Sequence, residues 1–170
     1  GAPADLLLLT DAMIADLERT GHVVPGSAVP IGVVRTGVAV RTGTARPAIA
    51  DPDGLRAALA GADGIYFPDP RLATAGIHFA KVLRALGVDT TADPRLLTYP
   101  NGATAMRALA GSPLRTPIGC TQVTEILNTP GVDLVGLLPS AFELATVYTA
   151  GIAAGATHPE PARRLVGMLT

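Results

Sequence analysis

Residues 64–87, Gly64-Ile65-Tyr66-Phe67-Pro68-Asp69-Pro70-Arg71-Leu72-Ala73-Thr74-Ala75-Gly76-Ile77-His78-Phe79-Ala80-Lys81-Val82-Leu83-Arg84-Ala85-Leu86-Gly87, decide the fold. Gly64–Phe67 is a short apolar run of strand length, and Pro68-Asp69-Pro70 is a turn. From Ala75 to Leu86 the apolar residues Phe79, Val82, Leu83 and Leu86 follow i, i+3, i+4, i+7 spacing, the mark of a helix with one buried face. Gly87 supplies the stop. The helix opens on small residues, Thr74-Ala75-Gly76. The N–H groups of a first helical turn have no partner within the helix, and the helix dipole favours negative charge there. A strand that turns onto such a start is a ready anion site.

The same unit recurs downstream. Strand Leu96–Tyr99 leads to a helix over Gly102–Ala110, and strand Ile118–Thr121 leads to a short helix over Gln122–Leu127. Alternation at this spacing predicts a parallel α/β sheet with right-handed crossovers. Upstream, a strand over Asp5–Leu9 runs into a helix capped by Thr10, with Met13, Ile14 and Leu17 on one face and a stop at Thr20-Gly21. Ile31–Arg41 is β-rich, Thr42–Pro52 reads as a loop, and Asp51-Pro52 starts another helix, with Asp as cap and Pro at the first position. Two further strands, Val132–Val135 and Leu144–Ala154, precede a last helix after His158-Pro159. No repeat or low-complexity tract interrupts the pattern.

Composition narrows the function. At 170 residues the chain fits one large domain or two small lobes, and 48% hydrophobic against 16% charged residues supports a sizeable core rather than disorder. The net charge of −1 argues against a nucleic-acid partner, which calls for a basic face. Aromatics at 4% and the lack of Trp weaken base or sugar stacking. The single cysteine, Cys120, excludes an intrachain disulfide and a Cys-rich metal site. Apolar runs such as Leu6–Leu9 are too short to span a bilayer, so the chain is not expected to be membrane-embedded. There is no basic stretch ahead of an apolar one, as a signal peptide would have. There is also no P-loop, GxGxxG or GxSxG, and no metal or cofactor is expected.

Candidate binding residues cluster where strands end, because ligands of such sheets bind beyond the carboxyl ends of strands. The first end gives Arg71, Thr74, Ala75 and Gly76. The second gives Asn101 and Gly102, and the third gives Gln122. Glycine and alanine there permit close backbone approach to a ligand, and they equally suit a tight turn. Arg71 reads as a partner for a carboxylate or as a solvated loop charge. Glu125 reads as a base or as the commoner helix-face carboxylate. His78 has no second His one turn on, so no helical metal pair exists. Cys120 follows a glycine in a strand and reads as a small buried hydrophobe, a Cys–His pairing with His78 being the alternative. Thr10 and Asp11 stand at another strand's end, where cap and dipole roles compete with ligand binding.

On these residues the chain resembles the molybdate-binding components of ABC importers, within the type II periplasmic-binding-protein fold. The resemblance lies in Gly1-Ala2-Pro3-Ala4-Asp5-Leu6 followed by Thr10-Asp11, in Asp69-Pro70 followed by Ala75-Gly76 and Ala80-Lys81-Val82-Leu83, in Ile118-Gly119 through Glu125, and in the returning hinge strand over Val147–Ala153. It covers nearly the whole chain and implies that the chain starts after the family's first βα unit. The resemblance implies two lobes, each a mostly parallel sheet flanked by helices: lobe I from 1–41 and 128–170, lobe II from 42–127, joined by crossing strands. It also implies an oxyanion clamped between them by backbone N–H groups, here of Ala75 and Gly102, and by small hydroxyls. Gln122 falls where the molybdate binders place a tyrosine. With Arg71 and the amide of Asn101, that difference suits an organic carboxylate as well as an oxyanion. The implied function is a periplasmic solute-binding protein that closes on a small anion and is recognised by the importer's membrane permease. The alternative is an isomerase of unsaturated tricarboxylic acids on the same scaffold, with Glu125, His78 or Asp11 as acid/base. A cytoplasmic ligand-sensing domain is a third reading.

Overall fold

The computed structural model describes residues 3–170; the Gly1-Ala2 start of the first resembling segment lies outside the described residues. In chain order the elements are β1 (Leu6–Thr10), α1 (Asp11–Arg19), β2 (Val29–Arg41), α2 (Pro52–Gly61), β3 (Gly64–Pro68), α3 (Thr74–Ala85), β4 (Leu96–Tyr99), α4 (Gly102–Ala110), β5 (Pro117–Gln122), α5 (Val123–Leu127), β6 (Val132–Leu137), β7 (Ala145–Ile152) and α6 (Pro159–Leu169). They form two compact units. One comprises the residues up to Val34 with Ala145–Thr170, and the other is Arg35–Leu144.

In the Arg35–Leu144 unit, β3 pairs in parallel with β4 on one side and β5 on the other. The second half of β2 runs antiparallel to β5, from Thr36 opposite Gln122 to Val40 opposite Ile118. Its other edge pairs antiparallel with β6, with a bulge at Val38/Ala39. The sheet is therefore mixed rather than parallel throughout. Crossover helices set β3, β4 and β5 in one direction, while β2 runs opposite to β5 and β6 opposite to β2. This pairing also corrects the lobe boundaries. Residues 35–41 and 128–144, expected with the terminal lobe, pack with 42–127, because β2 joins both β5 and β6.

Alternation along β3 builds two layers of helices. Ile65 and Phe67 face one way, into a core with Leu55 and Leu59 of α2 and Phe79, Val82 and Leu83 of α3. Tyr66 faces the other way, against Ala105, Met106 and Leu109 of α4 and Ile126 of α5. Arg95, just ahead of β4, ties the unit together. Its guanidinium donates to the carbonyls of Leu59 and Ala62 at 3.0 Å each, and to both carboxylate oxygens of Asp93 at 3.0 and 2.6 Å.

In the other unit, β1 and β7 pair antiparallel, from Leu6 opposite Ile152 to Thr10 opposite Tyr148, where a mostly parallel sheet was expected. The two strands are far apart in sequence, and no βα crossover joins them. Thr10 caps α1 by accepting the Met13 N–H. Gly21, at φ +77°, follows the helix's end, as the Thr20-Gly21 stop predicts. The core is Ala150, Ile152, Ala162 and Val166, with Leu6, Val29 and Ile31 against it. Asp5, ahead of β1, accepts the N–H groups of Thr157 and His158 at 2.6 and 3.1 Å and so pins the approach to α6.

Candidate functional site

The parallel register of β3, β4 and β5 brings their carboxyl ends to one edge of the sheet. Pro68 lies opposite Tyr99, and Tyr66 opposite Gly119, so Thr121 and Gln122 extend to the same edge. Helices α3, α4 and α5 begin there.

At α3 the N-cap residue is Ala73, and no side chain caps the first turn. The turn itself is held from within: the Asp69 carboxylate accepts the N–H groups of Arg71 and Leu72 at 2.7 and 3.2 Å. Gly76 is set by packing. A Cβ there would lie 2.3 Å from the carbonyl oxygens of both Pro68 and Asp69. Thr74 is exposed, while Ala75 and Gly76 are buried. Arg71 keeps 85% of its side chain in solvent, and its Nε stands 4.0 Å from Asp69, a loose pairing that leaves the guanidinium usable.

The start of α4 is different. Asn101 caps it, its Oδ1 accepting the N–H and the hydroxyl of Thr104 at 2.9 Å each. A Cβ on Gly102 would fall 1.9 Å from Glu125 Oε2 and 2.0 Å from Thr121 Oγ1. The Glu125 carboxylate thus lies against the first turn of α4, turned there by the Thr121 hydroxyl, which donates to Oε2 at 2.5 Å. Gln122 closes β5, 8% exposed. Behind this edge Tyr99 stacks on Tyr66 at 6.0 Å between ring centroids. Burial, and then the Tyr66 phenol, push the Tyr99 phenol up from its ordinary value. Tyr66 donates to Ser112 Oγ at 2.9 Å.

The Arg35–Leu144 unit therefore brings Arg71, Thr74, Ala75, Gly76, Asn101, Gly102, Gln122 and Glu125 to strand ends on one sheet edge. Thr121, beside Gln122 at the third strand end, lies in β5 on the same edge, and its hydroxyl donates to the Glu125 carboxylate on α5. Thr10 and Asp11 belong to the other unit. There Thr10 is the α1 cap, and Asp11 accepts the hydroxyl of buried Thr149 at 3.1 Å. A His78–Cys120 pairing finds no support. A ring nitrogen of His78 engages the Phe142 carbonyl at 2.8 Å. Cys120 is buried in β5, and burial pushes its thiol well above the ordinary range, which keeps it protonated. Among the described residues no group of three or more His, Cys, Asp and Glu is placed to hold a metal ion.

The fold is shared with solved periplasmic binding proteins. The chain is similar to the periplasmic molybdate-binding protein of Azotobacter vinelandii, with a TM-score of 0.75 and 20% identity over 99% of this chain and 73% of that one. It is also similar to the spermidine/putrescine ABC transporter substrate-binding protein of Streptococcus pneumoniae, with a TM-score of 0.63 and 12% identity over 100% of this chain and 64% of that one. Residues 1–170 match the family described as bacterial extracellular solute-binding protein, and the chain belongs to that family. Among curated proteins it is 29% identical over 171 residues to an aconitate isomerase of a Pseudomonas species, covering 98% of this chain and 62% of that enzyme. It thus spans less than two thirds of that relative's length. No helix among the described residues is long and apolar enough to cross a membrane.

Proposed function

We propose that this chain is the ligand-binding part of a solute-binding protein that takes up a small anion outside the cytoplasm and presents it to the membrane permease of an ABC importer. The observation that carries the reading is the first turn of α3. It has no side-chain cap, it opens on small residues, and it stands on the sheet edge where ligands of such folds bind. The fold does not choose the ligand, since its solved neighbours are named for molybdate and for spermidine/putrescine. The side chains favour an organic carboxylate over an inorganic oxyanion. The exposed guanidinium of Arg71, three residues ahead of Thr74, suits planar carboxylate recognition. The test is a thermal-shift panel of molybdate, tungstate, sulfate, phosphate, citrate and aconitate. A ligand at a hundredfold excess over Kd stabilises the folded chain by about 2.7 kcal/mol, so a true ligand stands out. A carboxylate is expected to shift the melt, and a panel with no shift at all ends the reading.

A second reading is an isomerase of unsaturated tricarboxylic acids, favoured by the 29% identity to an aconitate isomerase over 98% of this chain and 62% of that enzyme. Rotating a C=C bond requires moving its π bond, which a base achieves by taking a proton from one carbon and returning it to another. All three acid/base candidates are hydrogen-bonded, His78 to the Phe142 carbonyl, Asp11 to Thr149 in the other unit and Glu125 to Thr121, and Glu125 is the one beside Gly102 at the strand ends. Turnover of cis-aconitate that disappears in Glu125→Gln favours this reading, and absence of turnover in the parent chain removes it.

A further inference from the structure

At the end of the sheet where β3 and β5 begin, opposite the candidate site, a cavity of about 430 Å³ opens between α2 and the loop that follows β2. Its floor includes Val40 of β2 and Ile118 of β5, and the loop 44–48 forms one wall. The other wall is the face of α2 that carries Gly54, Ala57, Ala58 and Gly61. These four stand at i, i+3, i+4 and i+7, so one helical face is small throughout, while Leu55 and Leu59 fill the core from the neighbouring face. A Cβ on Gly54 would lie 2.8 Å from the Ala48 carbonyl oxygen, so the loop closes on the helix there. A Cβ on Gly61 would meet nothing within 4 Å. The cavity is therefore shut at one end of α2 and roomy at the other.

We propose that this cavity is a second ligand site, separate from the strand-end edge, for a small molecule with an apolar body and one carboxylate. Its volume falls within the roughly 300–1,000 Å³ of small-molecule pockets, and its walls are mostly apolar with a few polar groups, as in such pockets. Two of those polar groups choose the ligand's head. Arg46 is the one charged residue of the lining among the described residues. Its guanidinium stands 3.4 Å from the carboxylate of Asp133, and Asp133 lies opposite Val40 of the floor. That pair is weak because 59% of the Arg46 side chain is in solvent, and a guanidinium has N–H groups to spare for a second carboxylate. Asp133 keeps a donor of its own, the Thr42 hydroxyl at 2.9 Å. Thr44 is the second group. Its hydroxyl is buried and has no hydrogen-bond partner among the described residues. Turning it to another staggered rotamer to meet a carboxylate forfeits no bond, and the new bond relieves an unmade one.

An NMR titration of the isotope-labelled chain with octanoate and with octanol tests this. The two share a body length, and only octanoate carries a charge. Octanoate is expected to bind saturably, with amide shifts centred on the 44–48 loop, Ala57, Gly61 and Ile118, and octanol to bind roughly fivefold more weakly or worse. Arg46→Met keeps much of the stem and should bring octanoate down to the affinity of octanol. Thr44→Val keeps the shape and should weaken octanoate by roughly threefold. Ala57 is exposed, so Ala57→Leu narrows the cavity without entering the core and should weaken both probes by roughly fivefold. Three results each overturn the site: no saturation by octanoate at millimolar concentration, shifts centred on the starts of α3 and α4 instead, or unchanged octanoate affinity in Ala57→Leu. Equal affinity for the two probes overturns the carboxylate, as does octanoate affinity unchanged in both Arg46→Met and Thr44→Val.

Discussion

Gly76 and Gly102 both open helices on the site edge, yet they are glycine for different reasons. A Cβ at 76 meets two backbone carbonyl oxygens at 2.3 Å, and a strand end cannot step aside. A Cβ at 102 meets the ends of the Glu125 and Thr121 side chains, which can rotate away. Gly76→Ala should therefore destabilise by about 1–3 kcal/mol, the usual cost of overpacking. Gly102→Ala should cost less while displacing the carboxylate. Urea midpoints of the two variants decide it, and an equal or larger loss in Gly102→Ala contradicts the contact assignment. The sequence shows a small residue at each turn and nothing of what it touches. The Asp69 carbonyl is near Gly76 in the chain, so a tight turn was legible there. Glu125 reaches Gly102 only because β4 and β5 flank β3 and deliver their helices to one edge, and no local pattern announces that.

The units β3–α3, β4–α4 and β5–α5 were readable because each couples a short apolar run to a helical period across a turn. The direction of β2 was not. Val38, Ala39 and Val40 are all buried, and a run buried on both faces reads alike in a parallel and an antiparallel strand. The end of α2 was equally hidden. That helix has no basic residue in its last turn, and its closing carbonyls are served by Arg95, far along the chain. The Arg95–Asp93 hydrogen bonds hold the Asp93 carboxyl below its ordinary value and raise the guanidinium. Arg95→Met keeps much of the stem and loses every donor. It should destabilise the chain by roughly 1–2 kcal/mol, toward the low end for charge-assisted bonds because 32% of the Arg95 side chain is in solvent. Thermal melts of this variant and of Asp93→Asn measure it, and a melt unchanged in Arg95→Met removes the clamp from the account.

The two units differ in how much holds them. Arg35–Leu144 has two extensive apolar clusters, one on each face of its sheet, whereas the other unit has one small cluster on β7 and α6. Smaller cores bury a smaller share of their chain and open more easily, so unfolding need not be a single concerted step. Asp5 is the polar tie of the smaller unit. The N–H groups of His158, and then of Thr157, hold its carboxyl below the ordinary 3.8 against a minor opposing effect of burial. The folded chain therefore binds that proton less readily than the unfolded chain does. The stabilisation is complete above the unfolded value of about 3.9 and is lost as pH falls through the lower folded value. Acid also reaches Asp63, Asp89 and Asp93 of the larger unit, whose carboxyls are lowered as well, so a pH titration alone does not isolate Asp5. Asp5→Ala at neutral pH does. Amide hydrogen exchange should rise several-fold over β1, β7 and the start of α6, while β3 and β5 keep the protection of the parent chain. In the parent, lowering the pH below 4 should raise exchange over β1 and α6 first. If Asp5→Ala instead loosens β3 and β5 to the same degree, the chain unfolds as one cooperative block, and the small core is not its weak point.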